Sequence, residues 1–159
     1  MKKLLLTLLT ALMLNAARAG PVDDALAAYA RNDFATVVQI VRPLALKGEA
    51  WAQSWLADAY YIGRGVVQDY AEAVRWYRLA AQQGYARAQY NLGNMYSNGQ
   101  GVVQDYVKAH SWYNLSAIKG DADAVKNRDI VAKRMTSQQI AEAQKMARDC
   151  QARNFKGCD

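Results

Sequence analysis

A run of eight residues, Gly63-Arg-Gly-Val-Val-Gln-Asp-Tyr70, returns as Gly99-Gln-Gly-Val-Val-Gln-Asp-Tyr106, displaced by 36 positions. The displacement holds well beyond that run. Trp76-Tyr77 reappears as Trp112-Tyr113, Leu56 as Leu92, Tyr60 as Tyr96, Gly84 as Gly120 and Ala52-Gln53 as Ala88-Gln89. Half of the positions in 52–87 are identical in 88–123. A fixed period of this length marks one supersecondary unit, stacked on its copies because no single copy can bury its own apolar face. The period thus constrains architecture strongly and ligand hardly at all.

Within one unit the order is helix, glycine turn, helix, glycine turn. Ala52, Leu56, Ala59 and Tyr60 recur at the spacing of one buried helix face, which predicts a first helix over 50–62. Gly63 and Gly65 stop it, as Gly99 and Gly101 do in the next copy, because glycine takes positive φ without penalty. Asp69 and Asp105 stand where an N-cap is needed, and Glu72 is placed to complete a capping box with Asp69. The second helix carries Tyr70, Ala73, Val74, Tyr77, Ala80 and Ala81 on one stripe, widened by Trp76 and Leu79. Gly84 ends it, and Gly120 ends its copy.

The flanks read as degenerate copies in the same register. In the N-terminal unit, 22–51, Asp33-Phe34 stands for Asp69-Tyr70 and Arg31-Asn32 replaces the glycine turn. Pro43 is expected to kink the second helix there near Val41, since it removes a backbone donor. Downstream of the two close copies, 52–87 and 88–123, residues 124–159 are expected to form C-terminal capping helices. A first helix over 122–134 is followed by a capping box, Thr136 with Gln139, and a helix with Ile140, Ala143, Ala147 and Cys150 on one face.

Residues 1–19 read as a secretory signal peptide. Lys2 and Lys3 precede an apolar run over 4–14, and Ala17-Arg18-Ala19 places small residues where a signal peptidase cuts. The run is too short to span a membrane. Cleavage after Ala19 removes Lys2, Lys3 and Arg18 and no acidic residue, so a net charge of +6 becomes +3 for 20–159. That charge is spread rather than clustered and gives no footprint for nucleic acid. The expectation is a periplasmic or secreted monomer without membrane insertion after cleavage. Cys150 and Cys158, an even count in an exported chain, are expected to form a disulfide. A bridge over so short a loop contributes roughly 2–3 kcal/mol on the chain-entropy account.

The pattern Ala-x-x-x-Leu-Gly-x-x-Tyr-x-x-Gly-x-Gly-Val-x-x-Asp-Tyr-x-x-Ala-x-x-Trp-Tyr-x-x-Ala-Ala-x-x-Gly resembles the Sel-1-like repeat, a relative of the tetratricopeptide repeat. Residues 88–120 match it with Ser116 in place of the first paired alanine, and 52–84 match with Ala57 in place of the first glycine. The resemblance implies an all-α fold, a right-handed αα-superhelix of helix-turn-helix units. It further implies a non-enzymatic scaffold or adaptor for a protein or peptide partner, of a kind often exported from bacterial cells. No cofactor and no metal are expected, since the lone His110 is far in sequence from the two cysteines and no metal-spaced cluster occurs.

In such superhelices the first helices line the concave face. Once the buried stripe is set aside, that face offers Trp51, Ser54, Trp55, Asp58 and Tyr61 in one copy. The next copy offers Arg87, Tyr90, Asn91, Asn94 and Ser97. The two copies differ most at these positions, and aromatics mixed with amides and hydroxyls suit peptide recognition, so these side chains are expected to be exposed. The alternatives are a hydrolase of the β-lactamase or penicillin-binding type and a secreted factor that binds a host protein. The first rests on Ser116-Ala-Ile-Lys119, which spells a Ser-x-x-Lys motif. That serine falls near the end of a helix, where carbonyls point outward and repel an oxyanion, and the companion Ser-Asp-Asn and Lys-Thr-Gly motifs are missing. The glycine turns lack the third glycine and lysine of nucleotide-binding loops. His110 has no evident acid or nucleophile beside it and reads as a packing residue.

Overall fold

The computed structural model describes residues 20–158, so the leader at 1–19 lies outside the described residues. Among them are eight helices and no strand: α1 Pro21–Ala30, α2 Phe34–Leu46, α3 Ala50–Ile62, α4 Tyr70–Ala81, α5 Ala86–Asn98, α6 Tyr106–Ile118, α7 Ala122–Ala132 and α8 Ser137–Ala152. From α1 to α7 each helix packs on the next, whereas α8 packs back onto α6. The result is an α-solenoid, with α1, α3, α5 and α7 as first helices and α2, α4 and α6 as their partners.

The turns set the stacking. Gly63, Gly65, Gly84, Gly99, Gly101 and Gly120 hold φ between 67° and 93°. Gly63 and Gly99 cap α3 and α5 in the left-handed conformation. The second glycine of each turn has a different task. A Cβ on Gly65 would lie 2.3 Å from the Phe34 carbonyl oxygen, and one on Gly101 would lie 2.3 Å from that of Tyr70. Each turn therefore rests directly on the backbone at the start of the preceding second helix. In the N-terminal unit Asn32 takes the left-handed role at φ 58°, which its short polar side chain tolerates.

Asp69 Oδ1 accepts from the amides of Ala71 and Glu72, at 2.9 and 3.0 Å, and Asp105 Oδ1 from that of Lys108 at 3.0 Å. Glu72 does not close a capping box. The Asp69 amide it would have accepted is already donated to the Tyr60 carbonyl at 3.0 Å, and Glu72 instead pairs with Arg75 at 2.9 Å. Thr136 and Gln139 do form a reciprocal box. Pro43 lies inside α2, which continues through Leu46, leaving the Gln39 carbonyl without its usual donor.

Two glutamines repeat the same cross-link. Gln53 Nε2 donates to the Ala45 carbonyl and Gln89 Nε2 to that of Ala81, both at 3.2 Å. The fully buried Ala52, Ala73, Ala81 and Ala88 bring helix axes together, and Tyr77, Leu56, Leu92, Trp112 and Tyr113 fill the space between hairpins. At the far end Cys150 and Cys158 are joined, with Sγ atoms 2.07 Å apart. The tail held by this bridge puts the Phe155 ring against Gly84 and leaves Lys119 Nζ 5.4 Å from the ring centre.

Candidate functional site

Of the ten first-helix side chains expected to be exposed, only Arg87 is; Ser54 is fully buried and the other eight are half-buried. The physical reason is a polar node that the repeat uses twice. Asp58 on α3 accepts from the Tyr77 hydroxyl of α4 at 2.5 Å, from Asn91 Nδ2 of α5 at 3.2 Å, and from Arg87 Nη2 at 2.6 Å. Thirty-six residues on, Asn94 accepts from the Tyr113 hydroxyl at 2.7 Å and from Asn127 Nδ2 of α7 at 3.1 Å. Each node joins a first helix to its own partner and to the next first helix. Asn94, expected to be a free surface side chain, is thus a structural acceptor.

Burial pushes the Tyr113 phenol up to about 12. Burial, reinforced by the Asp58 charge, drives Tyr77 well above the ordinary range. Both stay protonated donors at neutral pH. Burial also raises Asp58, against the bond from Tyr77 and the charge of Arg87, which lower it.

Around the first node the face opens into two successive chambers. One, of about 260 Å³ between α1 and α3, is lined by Leu26, Tyr29, Phe34, Trp55, Ile62 and Arg64, among others. The other, of about 380 Å³ between α3 and α5, is lined by Tyr61, Tyr90, Asn91, Asn94 and Met95, among others. Asp58, Ile62 and Arg87 belong to both and form the wall between them. Together the chambers fall within the roughly 300–1,000 Å³ of ligand clefts. The first is apolar because the node has no upstream copy. Thirty-six residues before Asp58, Tyr77 and Asn91 the chain carries Val22, Val41 and Trp55.

The remaining expected residues are placed as follows. Trp51 stacks edge-on against Trp55, with ring centres 6.1 Å apart, and Trp55 lies 6.0 Å from Tyr29. Tyr61 donates to Gln100 at 3.4 Å, and the Ser97 carbonyl accepts from Gln104 at 2.8 Å. Sequence reasoning missed Leu26, Tyr29, Phe34, Ile62 and Arg64, because they sit in the degenerate unit or at a turn. Leu26 and Ile62 are 36 apart, both half-exposed apolar residues, and that spacing was the available signal.

The Ser-x-x-Lys motif does not form a catalytic pair. Ser116 is fully buried, with the Ala86 carbonyl and Asp121 Oδ2 each 2.9 Å from its Oγ, so acceptors rather than an oxyanion hole surround it. Lys119 faces Phe155 instead. His110 is buried. Its Nδ1 lies 3.1 Å from Asn114 Nδ2, and burial, then Arg128, lowers its pKa, so it is a neutral packing residue. Among the described residues no cluster of three metal-binding side chains occurs, and no helix is long and apolar enough to cross a membrane.

The helix pairs, their glycine turns and the repeated node define a protein of the α-solenoid class. The model of the Sel1 repeat family matches residues 52–85 and 86–121, so the chain carries two Sel1 repeats. It is similar to c5321, described as a protective antigen of uropathogenic Escherichia coli strains with an SLR fold. That match has 31% identity and a TM-score of 0.79, and covers 90% of this chain and 32% of that one. A Sel1 repeat protein from Oxalobacter formigenes matches at 30% identity and a TM-score of 0.60, over 63% of this chain and 40% of that one. The chain thus spans about a third and two-fifths of their lengths. No curated protein sequence matches. Sel1-repeat proteins are typically protein-interaction scaffolds, and the fold is generally non-catalytic.

Proposed function

We propose that this chain is an exported adaptor, periplasmic or secreted, that holds an extended segment of a protein partner along its first helices. The observation that carries this reading is the pair of chambers in series, each spanning two consecutive first helices and meeting at the exposed Arg87. An extended segment lying there meets an apolar chamber walled by Trp55 and Tyr29, then an amide- and phenol-lined one. Half-buried aromatics beside an arginine are the residue types that dominate interface energies. The Cys150–Cys158 bridge and the leader pattern support export. Partners therefore meet the face outside the cytoplasm, where that bridge persists.

Site-specific photo-crosslinking in the native cell tests the reading. A crosslinking residue at Trp55 or Tyr90 is expected to capture a partner that the same residue at Gln39 or Arg75, on second helices, does not. Capture from the second helices alone overturns the assignment of the face. Intact-mass measurement of the exported chain is expected to show Gly20 as its first residue. An unprocessed chain retained in the cytoplasm overturns the export reading.

A further inference from the structure

Charge in the first chamber narrows the partner's chemistry. Two guanidinium groups, Arg64 and Arg87, stand at a cleft whose other walls are Leu26, Tyr29, Phe34 and Trp55. Its one carboxylate, Asp58, is already engaged by Arg87, Tyr77 and Asn91. Arg64 lies with its guanidinium carbon 4.8 Å from the centre of the Phe34 ring. A guanidinium held over a ring face keeps its in-plane N–H donors available, and these match a carboxylate bidentately. Among the described residues no carboxylate lies within ion-pair distance of Arg64. The cleft therefore carries one uncompensated positive charge beside an apolar hollow.

We infer that the chamber between α1 and α3 takes a bulky apolar side chain of the partner segment, while Arg64 takes a neighbouring Asp or Glu side chain. This rests on the reading that the first-helix face binds a protein segment. The carboxylate is an internal side chain rather than a chain terminus, because the groove runs on past Arg87 into the second chamber and its occupant continues with it. An apolar residue alone would leave the charge unmatched, and a basic neighbour would face Arg64 and Arg87 together. Exchanging the acidic residue for its amide weakens binding roughly tenfold or more, since a charge-assisted bidentate pair is replaced by a neutral one.

A phage-displayed library of random peptides, panned in parallel on the full chain and on its Arg64→Glu variant, tests this. Arg64 is exposed, so the variant keeps the fold. Wild type is expected to enrich peptides with a large apolar residue within two positions of Asp or Glu. The variant is expected to exchange that acidic preference for Lys or Arg while keeping the apolar anchor. Peptides indifferent to Arg64→Glu, yet lost with Tyr90→Ala, would overturn the carboxylate assignment and leave the binding face intact. No enrichment on either protein would remove the binding reading and this inference with it.

Discussion

Asp58 and Asn94 show what one atom decides. Both accept a buried tyrosine hydroxyl and an amide from the next first helix, but only Asp58 ionises. Because burial raises its pKa in the folded state, folding binds a proton. Its contribution to stability is complete below the ordinary carboxylate value, near 3.9, and is lost as pH rises through the raised one. Asp58→Asn copies the downstream node, and its stability advantage over wild type is expected to grow from about pH 4 to neutrality in urea titrations. A constant difference across that range would show that Asp58 titrates as it does unfolded. Asn94→Ala is expected to cost about 1–3 kcal/mol, the penalty for removing the Asn94 acceptor from the buried Tyr113 hydroxyl. Its thermal midpoint checks this, and a change within about 0.5 kcal/mol would place Asn94 on a solvated surface.

At the scale of elements, the two glycines of a turn separate. Gly99 is needed for a left-handed cap, whereas Gly101 is needed both for its φ of 71° and for the absence of a Cβ against Tyr70. Gly99→Ala is therefore expected to destabilise by about 1–2 kcal/mol, and Gly101→Ala by about 3–5 kcal/mol, strain plus enforced separation of two backbones. Equal losses in denaturant titrations would remove the distinction. The caps, turns and buried stripes were legible because each is a local or 36-residue regularity. Glu72 was misread because the competing donor to Tyr60 comes from tertiary packing. The polar face was misread for a similar reason. Asn91, Asn94 and Asn127 look like solvated residues until the stacking places neighbouring first helices within hydrogen-bond reach of one another.

Across the whole molecule the ends differ from the middle. The upstream end carries an apolar hollow where the node is missing. The downstream end closes with α8 folded back on α6 and a bridged tail pressing Phe155 on Gly84. Replacing Cys150 and Cys158 by serine is expected to lower stability by roughly 2–3 kcal/mol. It should also speed hydrogen exchange at residues 84–86, and protection unchanged there would show that the tail holds without its bridge. The disulfide was legible from two cysteines downstream of a leader-like segment; the hollow was not, since it lies against the N-terminal unit, whose sequence has drifted from the period.

The seat of each glycine turn on the preceding backbone has one further consequence. Because the closest contact is with a carbonyl oxygen, which every residue possesses, the joint asks little of the side chains beside it. A further 36-residue block inserted after residue 87 would find its socket ready-made in α4 and would offer the same socket to the block behind it. Length in this architecture can grow by duplication without inventing a new interface, while the side chains facing the groove remain free to diverge.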